Sequence, residues 1–174
     1  TLITTNTESG DATSSFTSGI DSTYDEYMFV FTDINPATDN ADFSFQCDVD
    51  GSTSYNISMT TTWFYAYHDE GGSSATVTYQ TANDQAQGTA FQMIAKDTGN
   101  LADESCAGIL HLFSPASTTY VKHFYSRVQN SQGNTNTNDI HCAGYVNTTT
   151  AIDKIQFKMS TGNFDGVIQM YGIS

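Results

Sequence analysis

Three histidines, His111, His123 and His141, sit in consecutive runs rich in β-branched and aromatic residues. Imidazoles gathered from adjacent strands make a zinc or nickel site. A hairpin centred near Ser117 sets His111 opposite His123, and a symmetric loop centred near Gln132 sets His123 beside His141. The alternative is that each imidazole is a half-buried polar group on a sheet face, since a slip of one residue undoes the cluster. Asp48-Val49-Asp50-Gly51-Ser52 has the acidic spacing that opens a calcium loop, but the distal glutamate and the flanking helices are missing. A turn is the expected role. Trp63, Tyr65 and Tyr67 share one face if the segment is extended, with Asp69 and Glu70 following. Rings beside acids suit stacking on sugars, while the plainer expectation is core packing with the hydroxyls at the rim. Cys47, Cys106 and Cys142 are odd in number and widely spaced, so reduced, buried thiols are expected rather than a disulfide framework or a zinc knuckle.

Recognised catalytic motifs are absent. There is no nucleophile elbow, phosphate-binding loop, paired-histidine zinc motif or dinucleotide fingerprint. The many carboxylates lie in turns beside Gly, Ser and Asn, where solvation explains them without a glycosidase pair. The expectation is a protein that is not an enzyme, with no catalytic, metal-binding or cofactor-binding residues assigned.

The formal net charge is −14, from 19 acidic and 5 basic residues. Lys96, Lys122, Arg127, Lys154 and Lys158 do not form the basic surface that a phosphate backbone or an anionic membrane needs. Nucleic acid and membrane are therefore excluded as partners, and strong negative charge favours solubility in salty surroundings. Asn56 and Asn147 each begin a glycosylation sequon, which carries weight only in a secreted chain. Thr1 opens a polar stretch without a signal-peptide pattern, the missing initiator Met implies residues upstream, and no apolar run has transmembrane length.

The elements that must position these residues read as strands. The clearest stretch is Ala107 to Tyr145, three β-rich runs joined by a turn at Ser114 to Thr119 and by a longer Asn/Ser/Gly loop. Ile155, Phe157 and Met159 alternate with Lys154, Gln156 and Lys158, giving one core face and one wet face. Val167 to Ile173 is the last strand, tied into the sheet. Residues 2–7 and 12–16 read as one hairpin, and 27–34 with 42–49 as another, the run Tyr27 to Phe31 being buried on both sides. Further strands fall at 75–80 and 91–95, while 82–89 is polar with room for a single helical turn. No linker or repeat divides the chain. The fold class is all-β: one domain over residues 1–174, an antiparallel two-sheet sandwich, jelly-roll-like, with about ten strands and little helix.

Several longer stretches share a family signature. Phe16 to Tyr27, Asn35-Pro36-Ala37-Thr38, Leu112 to Phe124, and the ending Ile155 to Asn163 with Tyr171-Gly172-Ile173 resemble structural proteins of tailed bacteriophages, of the kind frequent in marine and cyanobacterial phages. The resemblance covers nearly the whole chain. It implies a virion structural or tail-fibre-like protein without catalytic residues. The expectations that follow are a capsid decoration or a tail or head fibre component, displayed on the virion surface and made in the host bacterial cytoplasm. It would partner itself as a homo-oligomer, a trimer being favoured, together with other virion proteins. The alternative is a lectin-like carbohydrate-binding module that recognises host surface glycans.

Overall fold

The computed structural model describes residues 1–133 and 135–174, and among them there is no helix. Among the described residues thirteen strands run in order. They are β1 (Leu2–Asp11), β2 (Ser14–Phe16), β3 (Glu26–Pro36), β4 (Ala41–Val49), β5 (Met59–Asp69), β6 (Ala75–Tyr79) and β7 (Ala86–Gly88). The second half adds β8 (Gln92–Thr98), β9 (Cys106–Phe113), β10 (Lys122–Gln132), β11 (Asn136–Val146), β12 (Ile152–Met159) and β13 (Phe164–Ile173). The expected count of about ten strands is too low: β2 lies within the run read at 12–16, whereas β7 falls in the polar stretch 82–89, where no strand is expected.

Every pairing is antiparallel. One run of neighbours is β1-β13-β3-β9-β10-β11-β5, with β6 and β7 both on the far side of β5. A second run is β8-β4-β12-β2. Two links nearly close the whole into a ring. Gln132 of β10 pairs Thr98 of β8. At the other side, Asn6 of β1 donates through Nδ2 to Ser14 Oγ (3.0 Å) and the Ser15 carbonyl (3.2 Å) beside β2. Gly166 makes the one sharp break in β13. Its φ of +138° sits at a register shift against β3, and a Cβ there would lie 2.8 Å from the Asp33 carbonyl oxygen.

The core is an array of phenylalanines from the two runs. Phe29 and Phe31 of β3 meet Phe157 of β12 at 5.4 and 5.2 Å, Phe31 meets Phe43 of β4 at 5.3 Å, and Phe45 of β4 meets Phe124 of β10 at 4.9 Å. Most of these pairs are edge-to-face, the geometry ring quadrupoles prefer. Phe157 is the hub, with ring contacts to Phe16, Phe29, Phe31, Phe43 and Phe45. The alternation read at 155–159 thus places its apolar residues in the core.

The strands from Ala107 to Tyr145 fold as expected, since β9, β10 and β11 are consecutive antiparallel neighbours. The two early hairpins do not form. β1 pairs β13 while β2 pairs β12. Likewise β3 pairs β13 and β9, whereas β4 pairs β12 and β8. Phe31 and Phe43 are both buried core rings, so the turn at 37–40 carries the chain over the core instead of back along the same sheet. Tyr27, Phe29 and Phe31 are buried but Met28 and Val30 are partly exposed, so β3 is covered fully on one face only. Residues 82–89 form a turn and β7, not a helical turn.

β4 departs from simple alternation because both its faces are covered. Ser44, Gln46 and Asp48 are buried along with Phe43, Phe45 and Cys47. Gln46 Nε2 reaches the carbonyls of Ile57, Thr89 and Ala90, and its Oε1 accepts the Cys47 N–H. The side chain therefore pins two crossing segments over the strand and satisfies backbone groups that no ladder serves.

Candidate functional site

β5 carries the aromatic stripe, and the structure divides it. Trp63 is fully buried, and its indole N–H donates to the Met93 carbonyl on the edge of β8 (3.1 Å). Thr61 Oγ1 donates to Gln92 Oε1 beside it (2.8 Å). These two side chains cover the edge of β8, so Trp63 belongs to the core. Beyond that point β5 outruns its cover. Tyr65 and Tyr67 are half-buried and stacked, with ring centroids 5.9 Å apart and planes 24° apart. With Asp69, Ser74, Gln132 and Asn136 they line an open hollow of about 300 Å³.

The polar groups around the hollow are held in place. Tyr67 Oη and Ser74 Oγ share a hydrogen bond of 2.8 Å. Asp69 accepts from the N–H groups of Ser73 and Ser74 and from the Ser73 hydroxyl, and the Ser73 hydroxyl leads in holding its carboxyl below the usual range. Asn136 Nδ2 donates to Gln132 Oε1, whose own amide donates to Asp97 (3.1 Å). Further in, Asn138 Nδ2 donates to Asn130 Oδ1 (3.0 Å), while the buried Asn138 Oδ1 has no hydrogen-bond partner among the described residues. Stacked rings flanked by fixed amides and a carboxylate form a surface that can pack on a sugar ring and bond its hydroxyls.

The opposite face of the same strands is also aromatic. There, Phe64 lies across from Tyr79 of β6 on one side and His141 of β11 on the other. The His141 ring stacks on Phe64 at 4.9 Å and 5°. His111 stacks on Tyr125 at 4.6 Å, and its Nδ1 meets Glu26 Oε1. Arg127 forms a two-pronged pair with Asp139 (2.9 and 2.8 Å) between these clusters. The face ends at β6, which among the described residues pairs only β5. Phe64, Tyr79 and Val77 are 41%, 48% and 73% exposed.

The three histidines do share this outer face but do not meet. His111 pairs Tyr125, His123 pairs Tyr145, and His141 pairs Arg127. The first turn centres near Thr118 and the second hairpin closes on Gln132 and Asn136, so both registers run later than expected. Among the described residues no three His, Cys, Asp or Glu side chains are grouped to hold a metal.

At 48–52 the loop already has a cation. Lys154 Nζ donates to the carbonyls of Val49 (2.9 Å) and Ser52 (3.1 Å). Asp48 is spent on the N–H groups of Val49 and Tyr55. The segment is a closed turn with an ammonium where the calcium reading puts its ion. Cys47, Cys106 and Cys142 are free and buried. Burial pushes the Cys106 thiol up to about 12 and the other two higher still, so none is a nucleophile at neutral pH.

The sequence reading missed the ring pairs of the outer face and the hollow. The odd positions His123, Tyr125 and Arg127 on β10 carried a signal for the first, being polar-aromatic and period-two. Nothing in the sequence marked where β8 stops covering β5. No protein-family model matches the chain, and no curated protein matches it.

Proposed function

We propose that this chain is a non-enzymatic structural protein of a tailed-phage particle, a capsid decoration or a tail or head fibre component that works by self-assembly and display on the virion surface. In this reading its finer architecture is a jelly-roll-like two-sheet sandwich, with β8-β4-β12-β2 as the smaller sheet. The phenylalanine contacts between β3 and β10 on one side and β4 and β12 on the other support that arrangement. The observation that carries the functional reading is the outer face of the larger sheet. A sheet face meant only for water does not hold exposed Phe64, Val77 and Tyr79 next to one another at an unpaired edge. Its partners would be copies of itself in a symmetric homo-oligomer and other virion proteins. Buried thiols suit a protein made in a bacterial cytoplasm.

The hollow beside Tyr65 and Tyr67 favours a second reading, a lectin-like module for host surface glycans. The two are compatible, since a displayed protein is well placed to hold a receptor site. Light scattering of the purified protein at seawater-like salt tests the first reading. A defined assembly is expected, and a monomer at every concentration contradicts it. Saturable binding to a host polysaccharide, lost in Tyr67→Ala with the fold intact, tests the second.

A further inference from the structure

The open edge at β6 specifies a register. The Gln80 N–H donates to the Trp63 carbonyl (3.0 Å), and the Asp69 N–H donates to the Ser74 carbonyl (3.0 Å). In an antiparallel ladder the residues that exchange hydrogen bonds alternate along the strand. Between those two anchors, Thr76 opposite Tyr67 and Thr78 opposite Tyr65 direct their backbone groups at β5. Ala75, Val77 and Tyr79 therefore direct theirs at the open side, where no strand pairs β6 among the described residues.

We infer that β6 is the surface through which two copies of this chain join, antiparallel and edge to edge, about a two-fold axis at Val77. The inference rests on the self-assembling reading above and names the surface that reading needs. The outward-directed residues pair with themselves in this register. Val77 meets the partner's Val77, and Ala75 meets the partner's Tyr79, a small side chain beside a large one. On the other face Thr76 meets the partner's Thr78, a favourable cross-strand pair. The strand Ala75–Tyr79 is A-T-V-T-Y, all β-branched or aromatic after the first residue. It has no Lys, Pro, bulge or inward charge, the devices by which edge strands ordinarily avoid pairing. It is also a stretch without a carboxylate in a chain of net charge −14, so a like copy can approach it. The charges flanking it, Asp69 and Glu70 at one end and Asp84 at the other, repel across the axis. Association therefore strengthens as salt rises. Joining the edges makes the Phe64–Val77–Tyr79 stripe continuous and sets both tyrosine-lined hollows on one face of the joined sheet. Because the contact is isologous it closes at two copies, and a trimer needs a different surface.

Sedimentation of the whole chain at about 0.5 M salt, where the screening length is roughly 4 Å, tests this. A dimer is expected, weakened at least about tenfold in Val77→Pro and in Val77→Lys. Proline at 77 removes an N–H that points away from β5, so the native ladder is kept. Should that variant misfold, Val77→Lys carries the test, because the side chain lies 73% exposed. Under mild oxidant Val77→Cys is expected to cross-link to itself, while Ala75→Cys is not, since position 75 lies opposite position 79 of the other copy. Assembly that persists unchanged in both Val77 variants overturns the β6 inference and leaves self-assembly standing. A wild-type monomer at all concentrations overturns both.

Discussion

Replacing Gln46 with Leu keeps the volume of the side chain and removes all its polar contacts. Two amide hydrogens serve the carbonyls of Ile57 (3.1 Å), Ala90 (3.1 Å) and Thr89 (3.3 Å), and Oε1 accepts the Cys47 N–H (2.9 Å). Cys47 is fully buried, so water cannot replace that acceptor. The crossing segments at 57 and 89–90 are only partly covered, and water takes over some of their loss. An orphaned buried group costs about 1–3 kcal/mol, which puts the total near 3 kcal/mol, or roughly 6–12 °C in melting temperature for a chain of this size. Gln46→Glu separates the polar from the steric effect. Its carboxyl has one hydrogen to donate when protonated and none when ionised, so facing these carbonyls its folded pKa is raised above the ordinary value of about 4.3. The pH-dependent part of its penalty is absent below about 4.3, grows as pH rises from there and is complete above the raised folded pKa, whereas the Leu variant's penalty stays constant. Urea unfolding followed by circular dichroism between pH 3.5 and 7 reads both. A loss under about 1 kcal/mol in the Leu variant, or identical pH profiles for the two variants, refutes the reasoning.

Lys122 is buried and donates to the Thr148 and Thr150 carbonyls (3.0 and 2.7 Å), with no carboxylate within ion-pair distance among the described residues. Lys122→Met should cost about 1–3 kcal/mol at neutral pH. Burial lowers the Lys122 pKa from 10.5, so the wild type should gain on the variant as pH rises toward 10.5, measurable in alkaline unfolding curves. Burial opposes ionisation of Asp48, but hydrogen bonds from Ser52, Tyr55 and Val49, with Lys154 nearby, outweigh it and lower its pKa. Asp48→Asn should therefore be about 1–2 kcal/mol less stable at neutral pH and lose that deficit as pH falls below the wild-type carboxyl's folded pKa, seen in acid denaturation midpoints. If the hollow binds glycan, Tyr65→Ala and Tyr67→Ala should each weaken binding in a titration at least about tenfold, while Trp63→Ala should instead unfold the β5–β8 contact and cost about 3–5 kcal/mol.

Local pattern carried most of the secondary structure and part of the topology. β12 was legible because Ile155, Phe157 and Met159 alternate cleanly with two lysines and a glutamine. β9, β10 and β11 were legible because turn formers separate runs rich in strand formers. The turn at 37–40 looks the same whether the chain doubles back beside itself or arches over a core, so β3 and β4 read as a hairpin although Phe31 and Phe43 meet across the interior. Gln46 and Ser44 look like a wet face in sequence, because the segments that cover them come from residues 57 and 89–90. The histidine cluster failed on turn length alone. A later centre in each hairpin moves His111 from His123 to Tyr125 and His141 from His123 to Arg127, with every side chain still on the expected face. The Trp63–Tyr67 stripe was visible as a stripe. Its division into core and hollow depends on where β8 ends against it, which is a tertiary fact.

Immunogold labelling of phage particles, purified from a lysate in which the chain is detected, with an antibody raised against the folded protein, addresses the central claim most directly. Regularly spaced label on the capsid, tail or fibres is the predicted result, since a building block is present in many copies at symmetric positions. Particles that stay unlabelled, while the same antibody detects the protein free in the lysate, would contradict it.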